Sequence, residues 1–508
     1  MAIKSDPQGE QEKIGFFIKD LREKRGLTQA AFAKALHTSQ SAVARMEGGK
    51  QNFSTRELSK ISKVLDRQIL AIPQSIDFEV RGGRKLSGKI TTNFSKNGSV
   101  ALLCGSLLNR NRTILHGISR IEEVYRLIEI MESVGVSVRW IAKNSVEIVP
   151  PKKISLAHLK NPAASRVRSS LMFIGALVNR YSEFKLPHAG GCKMGDRTIA
   201  AHRYGLENLG VSIVTKEDYY EIKAKKLMPG DIALYEASDT AANNILLAAA
   251  LIPGVTTLRF APPNYQVQEV CFFLEKMGVK IDGIGTTNLT IHGIAGLDEP
   301  LEYHNSEDPI ESMMFIAAAI TTGSKLTILR SPIDFLSLEL LKLEKMGLKF
   351  KISRPYKSYN GRTNLADITV FPSHLKALAE KIHPLPYPGI NSDNLPFFVP
   401  IATQATGTTL IHDWMWENRS IYFTELNRLG AQISLADPHR VFVSGKTPLK
   451  GAQVVCPPAL RPAMIILIAM LAADGVSILR NVYSINRGYE EIAGRLNSIG
   501  ADIRVLGV

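Results

Sequence analysis

Apolar residues follow a helical period at the start of the chain. From Ile14, the residues Phe17, Ile18 and Leu21 share one helical face, and Gly26 closes the stretch. Thr28 predicts a hydroxyl-capped helix over 29–36. Ser39 opens a third helix that turns Val43 and Met46 inward before Gly48 and Gly49 stop it. Three short helices therefore come first, and Ala71 to Asp77 reads as a linker.

Beyond the linker one pattern is written six times: MESVGVSVRW, LENLGVSIV, LEKMGVKID, LEKMGLKFK, LNRLGAQIS and LNSIGADIR. The glycines (Gly135, Gly210, Gly278, Gly347, Gly430 and Gly500) recur every 70 to 80 residues or so, each after an apolar residue and before alternating ones. That is a helix closed by a left-handed glycine cap, followed by a strand. A second pattern, an Ala/Leu-rich helix, a polar turn and a strand, lies in AAALIPGVTTLRF, AAAITTGSKLTIL, ATQATGTTLIH and AMLAADGVSIL. The expectation is an α/β chain of six strand–helix units in two lobes of three, preceded by a small all-α domain.

Composition narrows the class. A length of 508 residues implies two or three domains, and a mean hydropathy of +0.01 is that of an ordinary globular chain. The longest apolar run, Ala463 to Ala473, is about half a bilayer span, and Met1 to Lys13 has no apolar segment of a signal peptide. Membrane insertion and export are thus not expected, and the cytoplasm is. Cys104, Cys192, Cys271 and Cys456 are scattered without metal-ligand spacing, so neither a disulfide framework nor a zinc site is expected. The net charge of +15 divides into +5 for residues 1–75 and +10 for the rest. Nucleic acid, anionic small molecules or both would account for it, but DNA contact by the small domain alone would not.

The run LREKRGLTQAAFAKALHTSQSAVARMEGGKQ closely resembles the Xre/Cro-type helix-turn-helix. The resemblance implies a double-stranded DNA-binding domain over 1–70, with the start of the third helix in the major groove. Gln40 and Ser41 would face base edges, while Arg45 and Lys50 suit phosphate contact. Such domains act as dimers on two half-sites, so a homodimer is implied.

Chemistry-bearing runs dot the repeats: NFSKNGSV, SRVRSSL, HAGGCKMGDR, YPGINSDNLPFF, WENRS, ALRPA and NRGYE. With the six-fold repeat, they make the chain from Phe78 onward resemble the UDP-N-acetylglucosamine enolpyruvyl transferases. That family moves the enolpyruvyl group of phosphoenolpyruvate onto a sugar hydroxyl and releases phosphate, an early step of peptidoglycan synthesis. The resemblance implies an inside-out α/β barrel in two lobes, lobe I from 78–95 and 308–508 and lobe II from 96–307. It makes Cys192 the reactive thiol of a glycine-flanked loop, Asp393 the base for the acceptor hydroxyl, and Lys96 a catalytic cation beside Asn97. Arg168, Arg197, Arg419, Arg461 and Arg487 would hold carboxylate and phosphate, for which the guanidinium fork is suited. Asp308 and Glu311 would position the lobes, and Cys104, Cys271 and Cys456 would be buried. Neither metal nor organic cofactor is implied.

Departures gather on the acceptor side. Ala200 replaces an aspartate that recognises uracil, and Asp239 enters the run expected to bind diphosphate. Ala459 replaces an aspartate and Ser484 a histidine. Two alternatives therefore stand beside the cell-wall reaction: transfer to another nucleotide or sugar hydroxyl, and a transcription regulator whose transferase lobes sense a wall precursor.

Overall fold

The computed structural model describes residues 7–51, 53, 55–65, 76–156, 159, 163–190 and 198–507, in two compact units that divide after Ser75. In the first unit helices run Pro7–Lys24, Gln29–Ala35, Gln40–Glu47 and Thr55–Val64. The hydroxyls of Thr28 and Ser39 cap the second and third, accepting from the amides of Ala31 at 3.1 Å and Ala42 at 3.2 Å. Ile18, Leu21, Phe32, Val43 and Met46 form the core with Leu58, Ile61 and Leu65. Phe17 departs from expectation: it is 40% exposed, because Ile18 and Leu21 already fill the inward stripe and Phe17 lies about 100° round the helix from Ile18. Arg22 is buried against Glu47, with Nη2 donating to Oε2 at 3.0 Å, and Gln29 donates to the same oxygen at 2.8 Å.

Among the described residues the second unit holds six sheets around two hydrophobic cores. All six signature glycines have positive φ, between 89° and 105°, and each precedes a strand on a different sheet. The helices Asp239–Ala249, Pro309–Thr321 and Leu460–Ala472 are largely apolar and almost wholly buried, with a few buried polar side chains such as Asn243, Asn244, Glu311 and Arg461. They form the inside of each lobe and the sheets the outside, which is why their sequences show no polar stripe. One core gathers residues between Val100 and Tyr303; the other gathers Phe78, Val80, Leu86, Ile90 and Tyr265 with residues from Ile310 to Ile503. Residues 71–75 of the expected linker lie outside the described residues. Asp77 corrects its boundary, since it opens the strand Asp77–Arg81, held between Val476–Arg480 and Ile503–Leu506.

The chain passes between the lobes twice, and the two passages bond to each other. Ser95 N donates to Ser306 O at 2.7 Å, and Asp308 N to Asn93 O at 2.8 Å. Asp308 caps Pro309–Thr321 through Ile310 N at 2.8 Å and also accepts from Lys96 N at 3.1 Å. Glu311 accepts from Asn93 N at 2.6 Å and from Arg495. Gly98 is required here by space: a Cβ would lie 2.3 Å from Asn305 Oδ1. The same asparagine donates from Nδ2 to Ser95 O and Gly117 O, both at 2.9 Å, and so ties the passages together.

Candidate active site

Ser95 caps the helix Lys96–Gly105, accepting from Gly98 N at 2.9 Å, and this sets Lys96 and Asn97 on its first turn. Lys96 Nζ stands 2.7 Å from Glu123 Oε2. Asn97 Nδ2 donates to the Tyr265 hydroxyl at 2.9 Å. Burial pushes the Glu123 carboxyl up, but Lys96 and Arg487 outweigh it and hold the group below the ordinary glutamate value.

Asp393 lies just before the short turn Leu395–Phe397, its amide bonded to Asn391 Oδ1 at 2.9 Å. Arg461, on the first turn of Leu460–Ala472, donates from Nη2 to Asp393 Oδ2 at 3.0 Å and from Nη1 to the Tyr489 hydroxyl at 2.7 Å. Burial opposes ionisation of Asp393, yet Arg461, Arg419 and Lys96 together hold its carboxyl below the ordinary aspartate value. Lys96, Asp393, Arg461 and Arg487 thus belong to one alternating charge network: Asp393 feels Lys96, Lys96 binds Glu123, and Glu123 feels Arg487.

Arg419 is placed otherwise than expected. Its side chain is 1% exposed and grips Asp413 with two bonds, Nη2 to Oδ1 at 2.9 Å and Nε to Oδ2 at 2.5 Å. It therefore acts on Asp393 through its field. Arg168 opens the turn Arg168–Met172 and donates to Thr198 O at 2.7 Å. Cys192 and Arg197 lie outside the described residues. The remaining cysteines are buried as expected, and burial pushes the thiols of Cys271 and Cys456 up to about 12.

Asp239 stands on the first turn of Asp239–Ala249, after the capping Ser238. Its Oδ2 accepts from Asn264 at 3.1 Å and from Gln266, while Oδ1 is buried with no hydrogen-bond partner. Burial, opposed by those two amides and abetted by Asp393, raises its carboxyl to about 6. Asn264 also accepts from Asn391 Nδ2 at 3.5 Å, which joins this helix end to the Asp393 turn.

Glu123, Asp413 and Tyr489, the partners of three site cations, escaped the sequence reading. Each occupies a helix or loop position whose pattern is that of an ordinary surface residue, and only the fold brings it to the cation. The side chains expected to meet DNA need no such convergence: Gln40, Ser41 and Arg45 are all exposed on the third helix.

Comparison with known proteins places this geometry. Residues 80–496 match the family described as EPSP synthase (3-phosphoshikimate 1-carboxyvinyltransferase), and residues 18–71 match the helix-turn-helix family. The UDP-N-acetylglucosamine 1-carboxyvinyltransferase of Bradyrhizobium diazoefficiens is 35% identical, over 84% of this chain and 98% of that protein. The protein of the same name from Treponema denticola is 34% identical, over 84% and 99%. Among solved structures, the enolpyruvyl transferase NikO from Streptomyces tendae superposes with a TM-score of 0.73 at 24% identity, covering 86% of this chain and all of that one. The EPSP synthase of Acinetobacter baumannii follows at 0.66 and 18%, covering 85% and 100%.

Proposed function

The chain belongs to the EPSP synthase family of enolpyruvyl transferases, and from that premise we propose that it transfers the enolpyruvyl group of phosphoenolpyruvate to a hydroxyl of UDP-N-acetylglucosamine. The observation that carries this reading is the pairing of Asp393 with Arg461 in the field of Lys96. An aspartate kept ionised in a buried site is a base ready for a hydroxyl proton. The cations around it suit a substrate that brings a carboxylate and a phosphate. The acceptor oxygen bonds to carbon 2 of phosphoenolpyruvate as its proton passes to Asp393, and Cys192 protonates the methylene carbon. Return of a methyl proton to the Cys192 thiolate and cleavage of the carbon–oxygen bond to phosphate then restore the double bond and release inorganic phosphate, which takes up the proton held by Asp393. Lys96, Arg168, Arg197, Arg461 and Arg487 hold the anions, Asn97 helps to orient the acceptor, and Arg419 sustains the ionisation of Asp393.

The first unit binds double-stranded DNA in this reading, with Gln40 and Ser41 at base edges, Arg45 at phosphate, and two copies on paired half-sites. Free buried thiols at Cys104, Cys271 and Cys456 support a reducing, cytoplasmic setting. The test is phosphate release from phosphoenolpyruvate with UDP-N-acetylglucosamine, comparing the native chain with Cys192→Ala and Asp393→Ala. Release that depends on the nucleotide sugar and collapses in both variants supports the reaction. Release without need for the nucleotide sugar, or undiminished in the variants, refutes it.

Asp239 favours a second reading, transfer to an acceptor without a diphosphate. A helix N-terminus attracts an anion, and here the chain supplies its own carboxylate in that position. Phosphate release with a nucleoside or monophosphate acceptor, exceeding that with the diphosphate sugar, would decide for it.

A further inference from the structure

On the outer face of one sheet, three chemistry-bearing side chains meet that the site above does not use. The sheet runs in the order Leu301–His304, Thr113–His116, Ser145–Val149, Ser137–Ala142. Leu301 and Tyr303 are buried inward, so the two-residue period sends Glu302 and His304 to the opposite face. Parallel pairing sets His116 directly beside His304, and antiparallel pairing sets Ser145 on the other side of His116. The imidazoles stack with centroids 4.3 Å apart and planes 19° from parallel. His116 Nε2 is 2.8 Å from Glu302 Oε1, and its Nδ1 is 2.8 Å from Ser145 Oγ.

One donor atom from each of His116, Glu302 and His304 lies within 4.8 Å of the other two. Tetrahedral zinc, with nitrogen and oxygen ligands at about 2.0–2.2 Å, holds neighbouring donors roughly 3.4 Å apart, so modest side-chain rotation closes the set. None of the three side chains is fully buried, and that rotation is open to them. Ser145 supplies what a metal-binding histidine requires on its other nitrogen, a hydrogen-bond partner that fixes the ring and leaves Nε2 for the ion. Two imidazoles and a carboxylate suit Zn²⁺, Ni²⁺ or Cu²⁺ rather than Mg²⁺ or Ca²⁺, which take oxygen sets.

We propose that His116, Glu302 and His304 form a binding site for a divalent transition-metal ion of the zinc class, with a fourth position left to water. The site adjoins the return passage between lobes, since His304 immediately precedes Asn305. Across the passage the Tyr359 ring stands 5.8 Å from His304 and carries the Arg330 guanidinium 4.3 Å above it. Arg330 is itself paired with Glu307 on the passage, Nε to Oε1 at 2.7 Å. An ion at this position therefore fixes two strands at the root of the lobe joint.

The test is calorimetric titration of the full chain with Zn²⁺. Cys192 and the pair His292 and Asp282 are other places where zinc could lodge, so the comparison among variants decides. One equivalent is expected in the native chain. His116→Ala, His304→Ala and Glu302→Gln should each weaken it at least tenfold, and Ser145→Ala should weaken it severalfold without abolishing it. Circular dichroism checks that each variant is folded, and His304→Gln replaces any that is not. Absence of uptake by the native chain overturns the assignment. So does uptake that persists unchanged in a folded variant lacking both histidines, because the ion then sits elsewhere.

Discussion

Arg461 Nη2 donates to Asp393 Oδ2 at 3.0 Å while Nη1 of the same guanidinium donates to Tyr489 at 2.7 Å. The tyrosine anchors the arginine, and the arginine aims and ionises the aspartate. Asp393→Asn keeps the shape and removes the base, so phosphate release should fall about 10²–10⁴-fold with little change in the KM for phosphoenolpyruvate. Steady-state kinetics at neutral pH checks this. Tyr489→Phe leaves the charges intact and loosens only the anchor. A drop much smaller than that of Asp393→Asn is expected, of the order of tenfold.

Asp393 and Asp239 titrate in different windows. The first is held below its ordinary value, so the stability it confers is present at neutral pH and is lost only as pH falls through the acid range. The second is raised to about 6, so its favourable contribution belongs to low pH and is lost as pH rises through about 6. A rise of about two units corresponds to about 3 kcal/mol. Asp239→Asn should therefore stabilise the protein at pH 8 by up to that amount and leave it nearly unchanged at about pH 3, below the ordinary aspartate value, as denaturant titrations would register.

The same carboxylate should govern the acceptor. If the acceptor carries a diphosphate, its KM should fall as pH drops below about 6, where Asp239 takes up a proton, and Asp239→Asn should remove that dependence. An acceptor without phosphate at the helix end should show neither effect.

Thiol labelling separates Cys192 from its fellows. Cys104, Cys271 and Cys456 are buried, and burial raises the pKa of each thiol. Iodoacetamide at pH 7.5 should modify one cysteine in the native protein and four after denaturation. Peptide mapping should place the first at Cys192, with phosphoenolpyruvate slowing the reaction.

On the DNA side, Gln40→Ala should cost about 1–3 kcal/mol on the preferred operator and little on random sequence. Arg45→Ala should weaken both alike and reduce the salt slope by about one. Mobility-shift titrations over a range of salt would tell the two roles apart. Repeating them with phosphoenolpyruvate and UDP-N-acetylglucosamine tests whether the lobes act as a sensor, in which case operator affinity changes with ligand.

The six glycine caps were legible because each rests on local backbone geometry: a positive φ that only glycine adopts cheaply, then two-residue alternation. The Ala/Leu-rich helices were legible for a similar reason, their composition and the polar turn after them being local signals. Arg419 was not, since nothing in WENRS says that Asp413 will bury it. The partnership of Lys96 with Glu123 depends on packing between two helices, and neither sequence stretch carries a mark of it. Phe17 shows the limit of periodicity on a small domain, where a narrow core takes two of three neighbouring apolar residues. The histidine–glutamate cluster was hidden by distance, with His116 and Glu302 separated by 186 positions and joined only by strand register.

The strand Asp77–Arg81 has a consequence for the order of events during synthesis. Both of its neighbours come from the end of the chain, and Asn481 N bonds to Asp77 Oδ1 across 404 positions. At ordinary elongation rates of about 5–20 residues per second, that edge waits roughly 20 to 80 seconds on the ribosome for its partners. The helical unit, whose apolar core is drawn from Ile14 to Leu65 alone, has no such wait. A nascent chain therefore presents a finished DNA-binding head well before its catalytic body can close. Chains cut short by even the last strand would leave that head attached to an unsealed sheet edge, exposed to proteases and to aggregation.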